Sequence, residues 1–360
     1  MVDARPETTG ELNYETYRAT KHFSALDGLR AVSVLAVIWQ HTAGFNDGRG
    51  LPARGYLGVD CFFVISGFLI TTLLLRERAA TGRISLRDFY LRRALRIFPI
   101  YYAVLAVYAV LVLAMTRHTR SGQEFLHNLP AFATYTSNWF VGRGDSVTFY
   151  FAWSLATEEQ FYLFWPPLLI LLLGWVFGRG RWASWAHLPL ISLAGLLALD
   201  IAAHLNGWTV LASLAAPILL GAAAAVILHH PIGYRRSAEV FGAPWTAPVL
   251  AAVTLAAIQV ELPDAFVFLL LAYLLVACVV REDTGLHRLL TWRPLVVLGT
   301  ISYGVYLMHM LAANLVRPVL GHRFGVDVFA VTVPLVAGAA YLSYQWFERP
   351  IRLLARKRGR

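Results

Sequence analysis

The chain reads as long apolar runs separated by short polar connections. The apolar residues do not alternate with polar ones, as a half-buried strand requires, and they are too uniform for the single stripe of a soluble amphipathic helix. A run of about 20 apolar residues spans the hydrocarbon core of a bilayer as a helix. Ten such segments are predicted, at 29–45, 56–75, 97–115, 153–177, 187–203, 208–228, 246–261, 264–280, 295–315 and 327–347. The expected fold is an all-α integral membrane protein, a bundle of about ten transmembrane helices. Residues 1–22 are polar, show no signal-peptide core and read as a disordered cytoplasmic tail. Residues 23–350 read as one membrane domain and 351–360 as a basic cytoplasmic tail.

Composition agrees with the pattern. Apolar residues make up 58% of the chain and charged residues 14%, against about 25% charged in soluble domains. The net charge of +10 has a topological origin. Under the ten-span reading, 23 of the 31 Lys and Arg residues fall in the two tails and the connections on their side, and 7 on the other. This asymmetry puts both termini in the cytoplasm, and no soluble basic domain exists to bind nucleic acid. The two cysteines, Cys61 and Cys278, have no metal-ligand spacing. They are expected near opposite ends of their spans, as two free thiols.

An ionisable side chain within a span costs about 2.5–3.5 kcal/mol on insertion scales, so each needs a partner or a wet cavity. Such residues are His41, Asp60, Glu158, Glu159, Asp200, His204 and His309. Counting about 1.5 Å per residue from the outer span ends puts His41, Asp60, Glu158 and His309 about 6–9 Å deep. The expectation is one polar layer in the outer half of the membrane. Its chemistry is acid–base: His41 takes a proton from a hydroxyl, and Asp60 or Glu158 orients the imidazole. There is no G-x-S-x-G or H-E-x-x-H pattern. Ser66 reads as a small packing residue and His229-His230 as interfacial, not metal-binding. On the cytoplasmic side Arg92, Arg93 and Arg96 cluster at helical spacing, a pattern suited to phosphate binding or to anchoring at lipid headgroups. Pro99 follows and is expected to break the helix. The connection 116–152 carries Trp139, Phe140, Tyr150 and Phe151, fitting an aromatic belt or a lid.

These residues fall in motifs that resemble acyltransferase family 3, the bacterial integral-membrane O-acyltransferases. The resemblance runs through Leu26-Asp27-Gly28-Leu29-Arg30-Ala31 to His41, then Gly58-Val59-Asp60-Cys61-Phe62-Phe63-Val64-Ile65-Ser66-Gly67-Phe68. It continues in Phe89-Tyr90-Leu91-Arg92-Arg93-Ala94-Leu95-Arg96, Trp153-Ser154-Leu155-Ala156-Thr157-Glu158-Glu159-Gln160, Gly299-Thr300-Ile301-Ser302-Tyr303 and Phe347-Glu348-Arg349-Pro350. It implies an enzyme of the bacterial plasma membrane, among membrane lipids, that moves an acyl group from acyl-CoA to a hydroxyl of a carbohydrate or glycosylated small molecule. Acetyl-CoA is the expected co-substrate, and no tightly bound cofactor is expected. His41, Glu158 and Asp60 become the catalytic candidates, Arg92, Arg93 and Arg96 the donor site, and His309, Trp153, Ser302 and Tyr303 the substrate-binding candidates. Polar residues at depth also line transport paths, so a secondary transporter, or a non-catalytic membrane partner, is the competing class.

Overall fold

A computed structural model describes residues 13–43, 48–142, 147–177, 186–207 and 214–351. Within them the chain is helical, with no strand. In chain order the helices are α1 (Tyr14–Ala19), α2 (Ser24–Thr42), α3 (Leu57–Thr81), α4 (Leu86–Leu111), α5 (Arg120–Ala133), α6 (Ser137–Phe140), α7 (Trp153–Phe177) and α8 (His187–Asn206). Then come α9 (Ala216–His229), α10 (Pro231–Phe241), α11 (Thr246–Gln259), α12 (Asp264–Val280), α13 (His287–Leu290), α14 (Arg293–Thr300), α15 (Ser302–Leu320) and α16 (Val326–Ser343).

A helix overlies each of the ten predicted segments. Among the described residues, by length and composition alone, four stretches are apolar enough to cross a membrane: Leu57–Thr81, Leu86–Thr116, His187–Asn206 and Val326–Ile351. Two bent pairs raise this to six: α9 with α10, bent by 107°, and α14 with α15, bent by 81°. Helices α11 and α12 are shorter, and α2 carries Asp27, Arg30, Gln40 and His41. The chain is thus a multi-pass helical membrane protein, and a count of ten spans goes beyond these criteria.

Local chemistry sets the helix ends. The Asn13 side chain accepts from Glu15 N–H at the start of α1, and Ser85 Oγ accepts from Asp88 N–H at the start of α4. Gly82 and Gly321 close α3 and α15 in the left-handed region, at φ 75° and 77°. Pro99 does not break α4, which runs through it from Leu86 to Leu111. The arginine motif and the apolar stretch after it are therefore one helix. Membrane helices tolerate such prolines where neighbours satisfy the backbone. The connection after α4 is not a bare loop, since α5 and α6 fold within it.

Residues 14–19, expected in a disordered tail, form α1 instead. Tyr14 Oη donates to the His229 carbonyl at 2.6 Å, and Arg76 donates to the carbonyls of Tyr17 and Thr20. Residues 1–12 and 352–360, where the remaining tail expectations fall, lie outside the described residues. His229 is buried against α1, its Nδ1 near Ala225 O (2.8 Å) and Tyr17 Oη (3.1 Å).

Helices α3 and α9 lie backbone to backbone. A Cβ on Gly67 would fall 1.9 Å from Ile218 O, and one on Gly221 would fall 2.0 Å from Val64 O. Small residues allow this approach where lipid provides no hydrophobic drive for association. Helix α2 sits inside the bundle, packed by α3, α12, α14, α15 and α16. Cys61 and Cys278 are both free. They lie within electrostatic range of each other, closer than the expected separation across most of the membrane.

Candidate active site

A cavity of about 330 Å³ opens where α2, α3, α4, α7, α14 and α15 meet. Its lining is both basic and hydroxyl-bearing. Its wall carries His22, Asp27, Arg30, Arg93 and Arg96 together with Ser66, Ser154, Glu158, Ser302, Tyr303 and Tyr306. The break between α14 and α15 supplies Gly299, Thr300, Ser302 and Tyr303 to the wall. A broken helix at membrane depth is tolerated where it lines a cavity. It also aims the positive dipole end of α15 there.

The polar groups of the cavity are tied together. Asp27 is buried and receives both His22 Nε2 at 2.9 Å and Arg30 Nη1 at 3.3 Å. Ser66 Oγ donates to Glu158 Oε1 at 2.7 Å, so Ser66 is a working polar residue and not only a packing one. Arg30 and Arg93 both attract the Glu158 carboxylate. The Arg93 guanidinium lies 5.3 Å from the Tyr162 ring centre and 5.9 Å from that of Phe89. The arginine cluster is therefore split. Arg93 and Arg96 face the cavity, whereas Arg92 turns outward to Glu77 Oε2, 3.1 Å away, with 60% of its side chain exposed. Arg30 joins the cavity as the third guanidinium.

His41 and His309 form a second centre. Their ring centres lie 5.0 Å apart. His41 Nδ1 lies 2.9 Å from the Val37 carbonyl, and His309 Nδ1 bonds the Tyr306 carbonyl. A carbonyl only accepts, so in neutral imidazoles Nδ1 carries the proton and Nε2 keeps the lone pair. His309 is fully buried, and its Nε2 has no partner. Neither Asp60 nor Glu158 bonds to His41, so the expected carboxylate orienter is replaced by a carbonyl of the same helix. Asp60 lies towards Asp264, whose charge it feels. Glu158 belongs to the cavity, beside Arg30 from the first turns of α2. Residue 30 is eleven positions from His41, about 16 Å along the helix. The expected single polar layer is thus two layers.

Tyr306 stands between them. It lines the cavity, and its ring centre is 5.5 Å from that of His309. Its hydroxyl lies 2.7 Å from Ser154 Oγ and donates to Phe151 O at 3.0 Å. Phe151 in turn packs edge-on to His309 at 5.1 Å. The imidazoles do not line the cavity, and neither does Trp153, which packs on Phe63 at 6.1 Å. Ser302 and Tyr303 do line it. Beyond the imidazoles, Arg317 Nη2 donates to the His41 carbonyl at 2.7 Å. In the loop before α16, His322 donates to the Asp327 carboxylate, which raises that imidazole's pKa above its ordinary value. No cluster of His, Cys, Asp and Glu suited to a metal occurs among the described residues.

Sequence reasoning passed over His22 and Tyr306, and gave Asp27 and Arg30 no role beyond the motif that opens α2. The signal for Arg30 was present, because a guanidinium in the leading turn of a span needs a reason to be there.

The helical bundle thus holds an arginine-lined cavity and, beyond Tyr306, an imidazole pair. The chain belongs to acyltransferase family 3, whose acyltransferase domain matches residues 23–344. It is 32% identical over 93% of its length to YrhL of Bacillus subtilis, provisionally named a peptidoglycan O-acetyltransferase. It is 30% identical over 94% to the peptidoglycan O-acetyltransferase OatA of Listeria monocytogenes, and 29% over 94% to a provisionally named O-acetyltransferase of Staphylococcus aureus. It spans 56%, 57% and 59% of the lengths of these relatives. No solved structure matches the chain significantly.

Proposed function

We propose that the chain is a membrane O-acyltransferase that moves an acetyl group from acetyl-CoA to a hydroxyl of a cell-wall carbohydrate. The observation that carries the reading is the cavity itself, whose wall brings three guanidiniums together with hydroxyl and carboxylate groups. Guanidiniums bind phosphate bidentately. A donor that carries several phosphates and a thioester matches that lining. In the ten-span arrangement with both termini cytoplasmic, Arg93 and Arg96 lie before the third span on the cytoplasmic side, where CoA is found. The carbohydrate acceptor is taken from the names of the relatives.

In this reading the phosphates rest on Arg30, Arg93 and Arg96, and the pantetheine arm runs towards Tyr306. Movement of Tyr306 connects the thioester with the imidazole pair. His41 Nε2 removes the proton of the acceptor hydroxyl. The acceptor oxygen forms a bond with the thioester carbonyl carbon, the carbon–sulfur bond breaks, and the imidazolium returns its proton to the departing thiolate. Ser302, Tyr303 and His309 border the path of the acceptor and the transferred group. Glu158 offsets the guanidinium charge while the donor is absent.

The test is transfer by the purified protein in lipid nanodiscs, using radiolabelled acetyl-CoA and peptidoglycan oligosaccharides. Alkali-labile label in the glycan is the expected result. Thiol release without glycan label replaces the acceptor assignment. Absence of both turnover and acetyl-CoA binding overturns the donor assignment.

A further inference from the structure

The last turn of α2 leaves carbonyls without helical partners, and two of them are taken by the segment joining α15 to α16. Arg317 Nη2 donates to His41 O at 2.7 Å, and Gly325 N–H donates to Thr42 O at 2.9 Å. The remaining guanidinium donors are also used. Nη1 binds Asn314 Oδ1 at 2.8 Å, Nε binds Arg323 O at 2.9 Å, and the Phe324 ring centre lies 5.4 Å from the guanidinium carbon. One planar fork therefore spans three acceptors on α2, α15 and the following loop. Helix α15 carries His309 two turns before Arg317. The same fork thus fixes the register between the two helices whose imidazoles sit 5.0 Å apart.

We propose that Arg317 is a positioning residue for His41, holding the last turn of α2 so that His41 Nε2 faces His309 and the path from Tyr306. The inference rests on His41 being the general base. Arg317 touches no reacting atom. It acts through the carbonyl of the residue that does, which is where a small displacement is most costly. Misplacement of a catalytic group by about 1 Å can cost about 10²-fold in rate. Lysine offers a point charge in place of a fork and cannot hold three acceptors in one plane.

The experiment compares wild type, Arg317→Lys, Arg317→Ala and, as a charge control distant from the site, Arg120→Gln. All are full-length proteins in nanodiscs, with monodisperse elution required. Two readouts are taken. The first is acetyl transfer from acetyl-CoA to peptidoglycan oligosaccharides. The expected result is a fall in kcat of about 10- to 100-fold for both Arg317 variants, with the donor KM within about twofold, because the donor cavity lies on the other side of Tyr306. Added guanidinium should restore part of the Arg317→Ala rate and none of the Arg317→Lys rate. The second readout needs no turnover: the rate of His41 carbethoxylation by diethylpyrocarbonate, followed by mass spectrometry. It should rise several-fold in both variants and stay at the wild-type value in Arg120→Gln. Unchanged His41 labelling overturns the positioning role whether or not the protein transfers acetyl groups. Altered labelling with wild-type kcat retains the anchor and overturns His41 as the base. If Arg317→Ala does not fold, Arg317→Lys decides on the same two readouts.

Discussion

Replacing Arg92, Arg93, Arg96 and Arg30 one at a time with Gln separates the cavity from the sequence cluster. The cluster alone predicts similar losses at 92, 93 and 96 and none at 30. The structure predicts otherwise, because Arg92 points to Glu77 while the other three border the cavity. A charge-assisted hydrogen bond is worth about 1.5–3 kcal/mol, and each 1.4 kcal/mol is about tenfold in affinity. Arg30→Gln and Arg96→Gln should each weaken acetyl-CoA binding by about 10- to 100-fold. The exposed Arg92–Glu77 pair is worth about 0–1 kcal/mol, screened by solvent, so Arg92→Gln should leave donor affinity within about threefold. Arg93 also packs on Phe89 and Tyr162, so thermal unfolding must accompany its measurement. Binding is measured by calorimetry in nanodiscs with acetyl-CoA and with its 3′-dephospho form. A guanidinium that reads the 3′-phosphate weakens the first ligand and spares the second. Equal losses at Arg92 and Arg96, or none at Arg30, refute the cavity as the donor site.

Three further outcomes follow from the geometry. His41→Ala should lower transfer by about 10²–10⁴-fold and leave acetyl-CoA affinity unchanged in calorimetry, since His41 lies outside the donor cavity. Ser66→Ala should lower kcat more than Asp60→Asn does in the same transfer assay, because Ser66 is the hydrogen-bond donor to Glu158 whereas Asp60 faces Asp264. Gly67→Ala should reduce the yield of monodisperse protein in fluorescence-detected size exclusion, at an overpacking cost of about 1–3 kcal/mol, because its Cβ meets the Ile218 carbonyl.

Helix positions were legible because a bilayer imposes one length scale on apolar runs. A helix overlies each predicted segment, although 295–315 is divided between α14 and α15. What a linear depth count could not supply was azimuth. His41 and Asp60 have similar depth by residue counting, yet His41 turns to α15 and Asp60 towards Asp264 on α12. Glu158 and His41 were grouped by distance from span ends, but Glu158 turns to Ser66 on α3 and His41 to His309 on α15. The arginine cluster shows the same limit in miniature. By spacing, Arg96 neighbours both Arg92, four before it, and Arg93, three before it, and only the packing turns Arg92 away to Glu77. Tyr306 and Arg317 had no signal at all, since an aromatic in a span and a basic residue at its end are what any membrane helix carries.

The two-layer site also bears on how a thioester survives inside the protein. If an acyl-CoA thioester and a general base shared one wet cavity, water would compete with the acceptor for the acyl group. Tyr306 and Phe151 keep the imidazole pair out of the cavity, and His309 Nε2 is buried. The barrier is held by two hydrogen bonds of the Tyr306 hydroxyl, to Ser154 and to the Phe151 carbonyl. At about 0.5–1.5 kcal/mol net for each, releasing them costs about 1–3 kcal/mol. A single phosphate–guanidinium contact supplies as much. Binding energy from the remote end of the donor is therefore sufficient to open the path to the base. A donor lacking those phosphates would lose turnover as well as affinity. That coupling distinguishes a gated direct transfer from a cavity that merely stores the donor.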